Sequence, residues 1–173
     1  TITYDYSFAH EDYFVEVEGN DFFPDMMFGR FTNQGVYRME VMINKFMLYE
    51  KTPYVDETNW FKSGLCASNN AYPSQVSTKR YAATLMLDDG DFIKVDTMMS
   101  DGNSWGAGCT YDVQDIVGAI NNGVSYLNYR GEGWSDGWNA SCYNFTTSHV
   151  SSLNNGQKFP FVTSIGCGVA MFD

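Results

Sequence analysis

The sequence predicts an α/β fold with a mainly parallel sheet flanked by helices. Three observations carry this. Segments of strand character alternate with segments of helical period along most of the chain. Residues 34–51 set Val36, Met39, Met42, Ile43, Phe46 and Tyr49 at helical spacing. Two late hydrophobic runs, 124–129 and 159–165, each lead into a glycine-flanked polar residue. Strand ends of that kind meet at the carboxyl edge of a parallel sheet, where open α/β folds place their sites.

Each element has its own warrant. Residues 11–19 set Tyr13, Val15 and Val17 against Phe14, Glu16 and Glu18, which predicts a half-buried strand. Residues 21–25, with Pro24, read as a turn or edge, and 26–31 as a short buried strand. The 34–51 helix stops before Pro53. Residues 61–68 read as a strand with Cys66 near its end, followed by a polar loop over 69–77. A helix is expected over 76–87 and an alternating strand over 91–97. Residues 100–110 form a Gly-rich loop. A short helix over 112–121 ends at Asn122-Gly123. Strand 124–129, helix 146–153 and strand 159–165 complete the pattern. No internal repeat, low-complexity tract or linker interrupts it.

Composition narrows the function classes. The 173 residues suffice for one domain with a core, and 17% of them are aromatic. The net charge is −11 and the pI about 4.4. That balance argues against nucleic acid and anionic membrane surfaces as partners. No apolar run reaches membrane-spanning length, so no membrane insertion is expected. A secreted or surface protein with peptide or protein partners fits. Thr1 is not a natural start, so processing or truncation is expected. The spacing of Cys66, Cys109, Cys142 and Cys167 matches no paired-ligand zinc motif. Cys109 and Cys142 both lie in Gly/Ser/Asn-rich loops and are the better-placed pair if a disulfide forms. Asn139-Ala-Ser and Asn144-Phe-Thr fit the glycosylation sequon.

A set of short motifs then runs in order along the chain. They are Gly19-Asn20-Asp21-Phe22-Phe23-Pro24-Asp25, Phe28-Gly29-Arg30-Phe31, Tyr49-Glu50-Lys51 and Trp60 with Leu65-Cys66-Ala67-Ser68. Asn122-Gly123-Val124-Ser125, Asn128-Tyr129-Arg130-Gly131-Glu132-Gly133 and Trp138 follow. Phe145, Thr146-Thr147, Val150, Leu153-Asn154-Asn155, Pro160-Phe161-Val162 and Cys167 with Phe172-Asp173 close the series. In this order and at these spacings the chain resembles the gingipain family of cysteine peptidases (peptidase family C25). The resemblance covers nearly all of residues 1–173 as a single catalytic-type domain. It implies a caspase-like fold, with family segments expected before Thr1 and after Asp173, so the domain reads as incomplete or as one piece of a processed complex.

The resemblance also assigns roles. It puts Cys167 on the nucleophile and Glu132 on the catalytic histidine. A thiolate forms near neutral pH with help from a neighbouring imidazolium. A carboxylate in that place disfavours the thiolate. The family's further carboxylate, which orients the histidine, is expected in the loop after the Cys66 strand, and residues 69–77 contain no acid. His149 reads as structural, and His10 is remote in sequence. Gly131, Gly133, Trp134 and Trp138 are candidates for a ligand groove. The resemblance implies calcium, which lysine- and arginine-specific members of the family bind. Asp101 and Asn103 in the Gly-rich loop carry suitable oxygen donors, and Asp21 and Asp25 are similar candidates. The expected function is a catalytically impaired peptidase homologue retained for binding or structure. An active endopeptidase, with backbone N–H groups near Gly131 and Cys167 as oxyanion donors, and an architectural subunit of a surface assembly are the alternatives.

Overall fold

The computed structural model describes residues 14–21, 23–29, 31, 35–100, 108–140 and 142–169. Asp101, Asn103, His10, Phe22, Arg30, Phe172 and Asp173 lie outside them. The chain divides into two units, one built on residues 1–43 and one on 44–171.

In the first unit the two expected strands are absent from the described residues. Residues 14–19 form a loop, because Asp25 competes for their backbone. Its Oδ2 accepts from Val17 N–H (2.8 Å) and Glu18 N–H (2.9 Å), and its own N–H donates to Val15 O (2.8 Å). The 26–29 stretch is exposed rather than buried, with Met27 fully open, and Phe28 stacks on Phe14 at 5.7 Å. A short apolar run becomes a strand only when a partner strand accepts its hydrogen bonds.

Helix α1 (Val36–Lys51) forms where its period predicts and stops before Pro53, yet none of its residues is buried. In the second unit the sheet comprises β1 (Ser63–Ser68), β2 (Lys94–Met98), β3 (Tyr126–Arg130) and β7 (Phe161–Ile165). Its order is β2-β1-β3-β7 and every pairing is parallel, as the sequence predicts.

Strand alternation sorts the core into two layers. Leu65, Ala67, Leu127 and Tyr129 face helix α3 (Val113–Asn122), whose Ile116, Ala119 and Ile120 are buried against them. Cys66 faces the other way, toward helix α2 (Pro73–Asp88), where Ala83 and Met86 close over it. Asp112 caps α3 by accepting from Gln114 N–H at 2.7 Å.

The sequence pattern missed a three-stranded antiparallel ribbon: β4 (Glu132–Trp134), β5 (Gly137–Ala140) and β6 (Tyr143–Thr146). Strands of three or four residues are too short to display an alternation. Helix α4 (Thr147–Ser151) follows it. The ribbon packs Ala140, Tyr143 and Phe145 into the α3-side core.

Cys109 and Cys142 are disulfide-bonded, the pair that loop placement favoured. The bond ties the segment before α3 to the β5–β6 turn across 33 residues. Closing a loop of that length removes unfolded-state entropy worth about 3–4 kcal/mol. Chemical denaturation with and without reductant is expected to show a loss of that order. An unchanged midpoint would show that the bond contributes nothing to this fold.

Candidate active site

Strands β3 and β7 reach the carboxyl edge in register, Arg130 opposite Ile165. Their ladder does not stop there. Gly131 N–H donates to Ile165 O at 3.0 Å, and Gly133 N–H donates to Cys167 O at 2.9 Å. The two-residue step on each chain is that of a parallel ladder. Glu132 therefore sits between two cross-segment bonds, level with the Gly166-Cys167 segment. The approach is so close that a Cβ on Gly166 would overlap the carbonyl oxygen of Gly131. Only glycine fits there.

The Cys167 thiol is free and exposed at this edge, and Glu132 is half-buried. Sequence reasoning named both. It also proposed backbone N–H groups near Gly131 as oxyanion donors. Those of Gly131 and Gly133 are engaged with Ile165 O and Cys167 O, so neither is free to hold a developing charge.

Tyr129 braces the Glu132 turn from below, a role its place in the sequence did not indicate. Its side chain is fully buried. The hydroxyl donates to Glu132 O at 2.7 Å and reaches Asn139 O at 3.3 Å. The ring stacks on Trp138 with centroids 4.3 Å apart and planes 7° from parallel. Burial, reinforced by the Glu132 charge, pushes the Tyr129 phenol well above its ordinary value. It stays a donor. The only signal in sequence was a tyrosine two residues before a glycine at a strand end.

The other groove candidates separate. Trp138 is part of the packing, contacting Phe145 at 5.4 Å as well as Tyr129. It also borders a cavity of about 750 Å³ floored by Leu127, Phe145, Leu153 and Val162. Trp134, at the ribbon end, is exposed. Gly131 and Gly133 lie at the edge itself.

The remaining chemistry-bearing side chains point elsewhere. His149 Nδ1 accepts from Thr146 N–H at 3.1 Å, and its ring stacks on Phe145, so the imidazole closes the start of α4. On the α2 face, burial pushes the Cys66 thiol up, only partly opposed by Lys79. Its sulfur rests 3.7 Å from that of Met86. Lys79 is buried with its ammonium donating to Asn128 Oδ1, and burial pushes its pKa down. Arg130 Nη1 donates to Thr78 Oγ1 (2.6 Å) and Ser74 O (3.3 Å), tying the end of β3 to the first two turns of α2.

At the carboxyl end of β1, where the resemblance leads one to expect an orienting acid, Ser68, Asn69 and Asn70 are all buried. Asn69 N–H donates to Arg130 O at 3.2 Å. Ser68 Oγ and both side-chain polar atoms of Asn69 have no hydrogen-bond partner among the described residues. Amide and hydroxyl groups occupy this corner, and they cannot serve as a base.

Of the calcium candidates, Asp101 and Asn103 lie outside the described residues. Asp21 Oδ1 accepts from Phe23 N–H at 2.9 Å, and Asp25 is committed to the Val17–Glu18 backbone. Among the described residues no group of three or more His, Cys, Asp or Glu converges. Among them, too, no helix is long and apolar enough to cross a membrane.

A family model described as peptidase family C25 matches residues 2–173. Gingipain R2 and Gingipain R1 of Porphyromonas gingivalis are each 26% identical over 159 residues, 88% of this chain. The matched region is 20% of the first protein and 15% of the second. The crystal structure of the Arg specific cysteine proteinase gingipain R aligns with TM-score 0.75 at 24% identity, over 91% of this chain and 35% of that one. The complex of Porphyromonas gingivalis RgpB pro- and mature domains aligns with TM-score 0.76 over 94% of this chain and 39% of that one. The structural likeness shows the fold, and the chain spans a fifth or less of those curated relatives.

Two outcomes follow from this geometry. Gly166→Ala is expected to cost about 3 kcal/mol, by forcing the 131–133 and 165–167 segments apart. Denaturant unfolding measures it, and wild-type stability in that variant would refute the close approach. Tyr111 is pushed up to about 12 by burial, and Tyr129 and Tyr143 are also raised from their ordinary 10.0. Above pH 10 the unfolded chain loses phenolic protons that the folded chain keeps. Stability is therefore expected to fall as pH rises from 10 toward 12. Phenolate absorbance should lag behind that of the denatured protein. Superimposable titrations would contradict it.

Proposed function

The chain belongs to peptidase family C25, and from that premise we propose that it is a catalytically impaired peptidase-fold domain retained for binding extended peptide. One observation carries the reading: the residue laddered to the Cys167 segment is a carboxylate, Glu132, while the His149 imidazole is committed to the start of α4. Among the described residues, the segment level with Cys167 thus carries an acid, and the His149 imidazole is held elsewhere. A general base must lie within hydrogen-bond reach of the proton it takes. The buried amides of the β1 corner support the same reading, since they offer no acid to orient an imidazole.

Peptide binding needs less than catalysis does. Strand β7 closes one side of the sheet order, with Phe161, Val162 and Ile165 exposed along it. An extended peptide can add to such an edge through backbone hydrogen bonds. The Cys109–Cys142 disulfide supports residence in an oxidising compartment, hence secretion or display at the cell surface. The same exposed strand favours a second reading, an architectural subunit whose β7 edge is covered by another chain.

An electrophilic peptide probe of the arginine or lysine type tests the catalytic part, with adducts mapped by mass spectrometry. The native protein is expected to leave Cys167 unlabelled, and Glu132→His to raise its labelling rate at least tenfold. Selective labelling of native Cys167, absent in Cys167→Ala, would sink the impaired reading. Failure of an extended-peptide library to bind, with self-association or stable capture by a companion chain, would favour the architectural one.

A further inference from the structure

We propose that Tyr129 is a positioning residue for Cys167, acting through the single peptide group that joins Glu132 to Gly133. That peptide is held at both ends. Its carbonyl, Glu132 O, accepts from the Tyr129 hydroxyl at 2.7 Å. Its N–H, on Gly133, donates to Cys167 O at 2.9 Å. A donor on the carbonyl draws electron density from the amide and strengthens the bond its N–H makes. The hydroxyl therefore acts on the Cys167 backbone two hydrogen bonds away.

Three further observations make the hydroxyl a fixed lever rather than a passing contact. The ring is clamped face to face on Trp138. The hydroxyl also reaches Asn139 O at 3.3 Å, on the residue paired directly with Glu132 in the ribbon. A Cβ on Gly131 would run into the Tyr129 hydroxyl. The glycine at 131 and the tyrosine at 129 are thus matched in shape. Packing that locks the supporting side chain is what holds a site group in place. The inference rests on reading the Cys167 edge as the site, but on no particular peptide.

Tyr129→Phe keeps the ring and its stack and removes only the donor. The readout is the rate and pH profile of iodoacetamide alkylation at Cys167, resolved from Cys66 by peptide mapping. The expected result is at least a threefold change in the Cys167 rate, a displaced pH profile, and an upfield move of the Gly133 amide proton. A purely structural tyrosine would lower the melting temperature and leave the Cys167 rate and profile as in the wild type. That result overturns the proposal. Should the variant fail to fold, 3-fluorotyrosine at position 129 alters the strength of the hydroxyl donor at nearly constant shape. An unchanged Cys167 rate there overturns it equally, and a changed one upholds it. Peptides that fail to bind would count against the proposed function and leave this test standing.

Discussion

Two backbone hydrogen bonds beyond the end of the sheet organise the candidate site: Gly131 N–H to Ile165 O and Gly133 N–H to Cys167 O. They extend the β3–β7 ladder past the last regular strand residues and bring Glu132 level with Cys167. The contact is possible because Gly166 presents no side chain to the Gly131 carbonyl. Tyr129 then supports the same turn from the core side. Position at this edge is a property of main-chain pairing, and side-chain identity decides only what chemistry occupies it.

The chemistry that occupies it is acidic. Glu132 is level with the segment that carries the exposed Cys167 thiol, and the Gly131 and Gly133 N–H groups are already bonded to Ile165 O and Cys167 O. The buried polar groups of the opposite face form a separate system. Lys79 meets Asn128, Asn128 Nδ2 donates to Tyr126 OH at 3.3 Å, and that hydroxyl lies 2.9 Å from Thr163 Oγ1. This chain of contacts spans from α2 to β7 beneath the sheet. It satisfies a buried ammonium without an acid, and it leaves the carboxyl edge untouched.

Legibility in the sequence tracked element length and the source of each element's hydrogen bonds. Helices α2 and α3 and strands β1, β3 and β7 emerged close to their expected positions, because each carries its own period, breaker or cap. The segments around Val15 and Phe28 did not, because a strand needs a partner and Asp25 supplied a local alternative. The ribbon β4–β6 was invisible for the opposite reason. It is held by cross-strand pairing among residues whose own pattern is too short to read. Helix α1 shows the converse, a helix formed on period alone with no buried face.

By itself, the sequence determined the parallel α/β class and the family resemblance, and it favoured Cys109 and Cys142 as the pair if a disulfide formed. These depend on local pattern and on residue identity, which a linear reading contains. Only the tertiary structure decided that Tyr129 braces the Glu132 turn, that the Gly131 and Gly133 N–H groups are engaged, and that His149 closes a helix rather than facing the thiol. Each of those is a question of where a hydrogen-bonding group finds its partner. Tyr129 finds one on Glu132 close in sequence, whereas Gly133 finds one on Cys167 across the α4 crossover. Such choices are made among all the partners that the folded chain brings within 3 Å or so, and the order of residues does not list them.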